Sequence, residues 1–187
     1  MRLLLTAIFG VAVASAGIRQ MLSAPSPKGG LMLAPQHQAA LSRAYDKESE
    51  SHCHIVDGVN DCIKWYKPEK VEVKILRKDA LNSYKGAVEC LRALCRVLYV
   101  EDNVELYVLT TRATVLGCKG KSEKHLGYVV APDKLTCFKD ATVPVYEMSF
   151  HNGEYTSYLY TSVERERQAR LNHGSLTNVA FYAWKAH

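Results

Sequence analysis

The chain has 187 residues, with 24 Lys and Arg against 19 Asp and Glu, giving a formal net charge of +5. That balance is too weakly basic to identify a polyanionic partner, and the length accommodates one ordinary domain plus a leader. No Asn-x-Ser/Thr sequon occurs, so N-glycosylation is not expected.

The first stretch, "MRLLLTAIFGVAVASAG", places Arg2 before an apolar run that ends in Ala14-Ser15-Ala16. This predicts a secretory signal peptide over residues 1–16, too short to act as a membrane anchor. Residues 17–50 mix Pro, Gly, Ser, Ala and Gln without a sustained apolar period, which predicts a poorly ordered, propeptide-like arm. A short helix over "QHQAALSRAYDK" is compatible with the sequence but marginal in isolation. The folded domain is expected over residues 51–187.

All six cysteines, Cys53, Cys62, Cys90, Cys95, Cys118 and Cys137, fall inside that domain. An even count behind a signal peptide predicts up to three disulfides, whose connectivity spacing alone leaves open. The cluster His52, Cys53, His54 and Cys62 raises metal binding as the competitor, but its spacing matches no zinc module, and no metal or cofactor is expected.

The segment "KVEVKIL" alternates Val71, Val73 and Ile75 with Glu72 and Lys74, predicting a half-buried strand. Asp79 is placed to cap a helix running to Arg96, with Ala80, Leu81, Tyr84, Ala87, Val88, Leu91 and Leu94 on one face. Cys90 and Cys95 would then point in different directions and pair elsewhere. Beyond Val97 a hairpin turning at Glu101–Asn103 is expected, then short strands at "ATVLG" and "GYVVA" around a charged loop. A second hairpin, "VPVYEMSFHNGEYTSYLY", turns at Asn152-Gly153. "SVERERQARL" reads as a strand, with a helix over Val163–Leu171 also open by propensity, and "SLTNVAFYAW" as the last strand. Trp184 is expected in the core. No internal repeat, phosphate-cradling glycine loop or heptad pattern is visible. The predicted class is α+β: one helix packed on an antiparallel sheet of about five strands, crosslinked by disulfides.

Glu147 lies at the centre of the aromatic strand "VYEMSF", and alternation puts it on one face with Ser149 and His151. The order of helix, then sheet, then a Tyr-Glu strand resembles the small secreted fungal guanyl-preferring ribonucleases. The resemblance implies Glu147 as general base, Arg165 or Arg167 as phosphate contact, and Tyr182 where that family has its histidine acid. The upstream strand of that family is most similar to "EKHLGYVVAP", with His125 and Tyr128. Tyrosine is a poor proton shuttle near neutral pH, so the resemblance implies a catalytically impaired enzyme. In this respect the chain is similar to the ribonuclease-like secreted effectors of plant-pathogenic fungi, especially powdery mildews. That implies a secreted monomer, able to enter host cells, that binds a host protein, or secondarily host RNA, to suppress defence. An active ribonuclease using Glu147 with a relocated histidine (His151 or His173), and a disulfide-stabilised effector of unrelated fold, are the alternatives.

Overall fold

The computed structural model describes residues 30–48, 50–62, 66–101, 104–112, 115–151, 156–172 and 176–186. The expected signal peptide therefore lies outside the described residues. Among them the chain forms nine strands: β1 (Gln38–Asp46), β2 (Ser51–Val56), β3 (Lys67–Leu76), β4 (Leu91–Glu101), β5 (Val104–Thr111), β6 (Glu123–Val130), β7 (Val143–His151), β8 (Thr156–Thr161) and β9 (Leu176–Ala183). One α-helix, α1 (Glu164–Leu171), joins β8 to β9. The molecule is sheet-dominated, and the expected α+β arrangement of one long helix on about five strands is incorrect.

Three departures explain the difference. The apolar stripe of residues 79–96 does not make one helix. Residues Lys78–Cys90 form 3₁₀ turns broken at Tyr84 (φ −124°, ψ 30°), and the chain is extended from Leu91. Ala80, Tyr84, Ala87 and Cys90 are buried, so the turns bury three residues of the expected stripe while Leu81 and Val88 stay half-buried. β4 is buried on both faces over most of its length, which erases the period-two signal that would have marked it.

The arm is the second departure. Residues 38–46 form β1, which pairs antiparallel with both β2 and β3 and buries Ala39, Leu41 and Ala44. Its Ala-rich sequence has low intrinsic strand preference, and packing overrides it. The third is "ERERQARL", whose alternating charges read first as a strand; the alternative helix over Val163–Leu171 is the one observed. It is helical because Glu, Arg, Gln, Ala and Leu are strong helix formers. Glu164 accepts from Arg167 at 2.5 Å and Gln168 at 2.7 Å across one turn.

The nine strands fall into three units of identical pairing. In each, the first strand is central, hydrogen-bonded to the second in a hairpin and to the third on its other side: β1 with β2 and β3, β4 with β5 and β6, β7 with β8 and β9. The three third strands meet one another through single pairs, Leu76↔Tyr128, Val130↔Tyr182 and Lys74↔Trp184. Each third strand uses two residues for this, and Lys74, Tyr128 and Tyr182 are spaced by 54, as are Leu76, Val130 and Trp184. The repeat that the sequence hides is therefore present in the register.

This ring divides the core. Inward from it, Ile75, Val129 and Ala183, also 54 apart, join Leu41, Leu94, Leu109, Val145, Tyr160 and Phe181. Outward, Leu76, Tyr128, Val130 and Trp184 pack with Tyr84, Phe138 and Leu33. Trp184 is thus core, as expected, and its Nε1–H donates to Asp140 at 2.9 Å. The ring admits no side chain at Gly127, where a Cβ would lie 2.6 Å from the Leu76 carbonyl oxygen.

Three disulfides brace the units: Cys53–Cys62, Cys90–Cys137 and Cys95–Cys118. Cys90 and Cys95 pair elsewhere, as expected, but not through helix geometry: Cys90 ends the 3₁₀ segment and Cys95 lies in β4. The two predicted hairpins are present as β4–β5 and β7–β8, although Asp102–Asn103 and Asn152-Gly153 at their tips lie outside the described residues.

Candidate functional site

Each unit carries the same irregularity between its first and third strands. The pairing runs Leu41↔Val73 then Ser42↔Val71, Leu94↔Gly127 then Cys95↔His125, and Val145↔Phe181 then Tyr146↔Val179. One residue of the third strand is skipped each time, Glu72, Leu126 and Ala180, again 54 apart. Bulges bend a strand and re-aim the side chains beside them. In unit one the bulge inverts the expected alternation, leaving Val71 44% exposed and Glu72 only 6% exposed. The next rung but one past each bulge pairs Arg43 with Lys70, Arg96 with Lys124, and Glu147 with Asn178. These three rungs are equivalent, and two carry arginine where the third carries glutamate.

The two arginines are buried, 7% exposed at Arg43 and 5% at Arg96, and each is ion-paired within this chain. Arg43 donates to Glu69 at 2.5 Å and to both oxygens of Glu166 at 2.9 and 3.4 Å, and lies 3.5 Å from Glu72. Lys70 adds a 2.6 Å bond to Glu166, and the Thr161 hydroxyl another at 2.7 Å. Burial pushes the Glu166 carboxyl up, but these donors hold it down at about 2. Helix α1 is thereby pinned across β1, β3 and β8. Arg96 donates to the His54 carbonyl and to Asp61, both at 2.8 Å, with its guanidinium 5.0 Å over the Tyr107 ring. Lys124 completes this group by pairing with Asp61.

The third position is open. Glu147, half-buried, lines a cleft of about 280 Å³ between two strand edges, Leu109–Thr111 of β5 and Asn178–Phe181 of β9. Its Oε2 lies 2.8 Å from the Tyr160 hydroxyl, which is also 2.7 Å from the Leu109 carbonyl. That hydroxyl has one proton for two acceptors. Burial, the Glu147 charge and this hydrogen bond all push the Tyr160 phenol far up. Among the described residues no lysine or arginine pairs with Glu147, although the chain has 24 such side chains.

No protein-family model, curated protein or solved structure matches the chain. The chemistry of the cleft is therefore that of its own atoms.

The residues expected to act with Glu147 do not converge on it. Tyr146 faces away from Glu147 by strand alternation, and Arg167 stacks 4.8 Å over the Tyr146 ring while pairing with Glu164. Arg165 is exposed on the same helix, not on a strand. Two residues apart on a helix, Arg165 and Arg167 point to different sides. Tyr182 pairs with Pro144 and Val130 and packs against the outer core, on the side of the sheet opposite Glu147.

No histidine replaces the missing acid among the described residues. His54 stands beside the Tyr160 ring, centroids 5.6 Å apart, and burial drives it down to about 3, so it is neutral and enclosed. His125 lies in a separate cleft with its Nε2 at 3.0 Å from the Gly127 carbonyl oxygen. Tyr128, the other residue of that expected strand, is core. His151 is exposed, two rungs beyond Ser149, and His173 lies outside the described residues. Cys53 and Cys62 are joined to each other, which takes both sulfurs out of the competing metal-binding cluster.

Sequence reasoning missed Arg43 and Arg96 altogether. The available signal was an arginine in each of two apolar strands, "LSRAY" and "LCRVLY", where a charge is tolerated only with buried partners.

Proposed function

We propose that the protein is a secreted, non-catalytic binding protein that acts, as an effector does, by engaging another protein through the Glu147 cleft. The observation that carries this reading is the open carboxylate itself. Among the described residues Glu147 has neither a histidine for proton transfer nor a counter-charge, in a fold whose two equivalent positions are ion-paired within the chain. Secretion is supported by the signal-like residues 1–16 and by three disulfides, which persist in oxidising compartments. No helix among the described residues is long and apolar enough to cross a membrane.

Protein is favoured over RNA on electrostatic grounds. A phosphate brought into the cleft would meet Glu147 without a cation beside it, and Arg167 is already neutralised by Glu164. Cleavage of RNA through its 2′-hydroxyl requires one group to take a proton and another to return it, and only the first is in place. The purified protein is expected to release no cyclic phosphate from RNA above the level of a Glu147→Gln control. Glu147-dependent turnover would make the protein a ribonuclease and end the non-catalytic reading.

A further inference from the structure

We infer that the cleft between β5 and β9 is a receptor for a guanidinium group, supplied as an arginine side chain of the partner protein. This rests on the binding reading above and names the chemistry of its ligand. The fold repeats one polar slot three times, each between the second strand of one unit and the third strand of the next. Arg43 occupies the slot beside β8 and β3, where Thr161 and Ser162 meet Glu166 and Glu72. Arg96 occupies the slot beside β2 and β6, where it meets the His54 carbonyl and Asp61. In both, a guanidinium comes from the central strand and carboxylates come from the surrounding chain.

At β5 and β9 the polarity is inverted. The central strand supplies the carboxylate, and no described residue of the surrounding chain supplies the guanidinium. The loop after β5 corresponds to the segments that deliver Asp61 and Glu166 in the other units. It turns its arginine away, for Arg112 pairs with Glu123. The two residues of that loop outside the described set, Ala113 and Thr114, carry no charge.

What remains fits an arginine head group. Tyr160 engages Oε2 of Glu147, leaving Oε1 to accept a charge-assisted bond. Thr110, Thr111 and Asn178 line the walls with further acceptors, and both walls are strand edges. The volume of about 280 Å³ lies below the roughly 300–1,000 Å³ of drug-sized sites, the scale of one side chain. A flat, five-donor guanidinium suits a slot between two edges better than a compact ammonium.

The test titrates Nα-acetyl-arginine N-methylamide into the disulfide-intact, ¹⁵N-labelled protein, with the citrulline analogue as an uncharged isostere. Amide shifts are expected at 109–111 and 178–181, with citrulline at least about 10-fold weaker, the usual weight of a hydrogen bond to a charged group. Glu147→Gln is expected to lose binding to the same degree. If that variant does not fold, the citrulline comparison on the unaltered protein decides alone. Equal binding of arginine and citrulline, shifts centred elsewhere, or no binding would overturn the inference. Agmatine binding more tightly than the blocked residue would overturn the protein source. These failures are separate from that of the non-catalytic reading, which falls only to Glu147-dependent RNA turnover.

Discussion

Acidification from pH 6.5 to 4 is expected to remove on the order of 6 kcal/mol of stability, roughly 3 kcal/mol from each of two buried histidines. Burial lowers His54 to about 3 and His52 to about 4 from an ordinary 6.5. His54 also feels His52, Arg43 and Arg96, and His52 feels Arg43 and Arg170, offset in part by Glu69 and Glu166. Below pH 6.5 the unfolded chain takes up protons that the folded chain refuses, so the folded state loses ground until each folded value is reached. Glu166, held at about 2, adds a further loss as pH falls from its unfolded range near 4.5 through that value. Against a typical total of about 5–15 kcal/mol, such a loss is large. The urea midpoint should drop steeply between pH 7 and pH 4.5, and less steeply in His54→Leu. A midpoint that is level or rises on acidification would show that the histidines are not buried as described.

Loss of Cys90–Cys137 is expected to cost about 4 kcal/mol, more than loss of either other disulfide. The bond closes a separation of 47 residues, against 23 for Cys95–Cys118 and 9 for Cys53–Cys62. Restricting the unfolded chain is worth roughly 4, 3.4 and 2.6 kcal/mol respectively on the loop-entropy relation. Cys90 and Cys137 also lie inside the outer core with Tyr84, Phe138 and Trp184, so replacing the pair by alanine removes packing as well. Urea unfolding of the three double-alanine variants, measured without reductant, should rank them in that order. A largest loss at Cys53–Cys62 would reject the ranking.

The physical reasons for what the sequence revealed differ from element to element. Strands β3, β5, β7 and β8 alternate or cluster β-branched and aromatic residues, and they were legible. Residues 91–96 of β4 were not, because burial on both faces removed their alternation and they continue the helical stripe, and β1 was not, because alanine favours no strand until Leu41 and Ala44 find a core. α1 was open as the alternative because its residues favour a helix, although its charges, alternating at period two, favoured the strand reading. Glu147 was legible as an anomaly, a carboxylate in an aromatic strand. Its meaning was not, because it depends on Arg43 and Arg96, residues 104 and 51 positions away that become its equivalents only through three bulges in register. The ribonuclease-like reading required Glu147, Arg165 or Arg167, and Tyr182 on one face, and neighbouring residues of a strand cannot share one. Tyr182 follows Phe181, which is paired on the Glu147 side, and α1 covers the Tyr146 side.

Three equivalent rungs carry two ion-paired arginines and one carboxylate that, among the described residues, has no counter-charge. Denaturant unfolding of Arg43→Ala, Arg96→Ala and Glu147→Ala, run side by side at pH 7, tests that arrangement most directly. Arg43→Ala strands Glu69, Glu72 and Glu166 with Lys70 alone and is expected to cost roughly 3–5 kcal/mol. Arg96→Ala, which leaves Lys124 beside Asp61, is expected to cost roughly 2–3 kcal/mol. Glu147→Ala removes one acceptor from a hydroxyl that keeps the Leu109 carbonyl and is expected to cost less than about 1 kcal/mol. That descending pattern is the predicted result; a loss at Glu147 equal to or greater than that at either arginine would contradict the account.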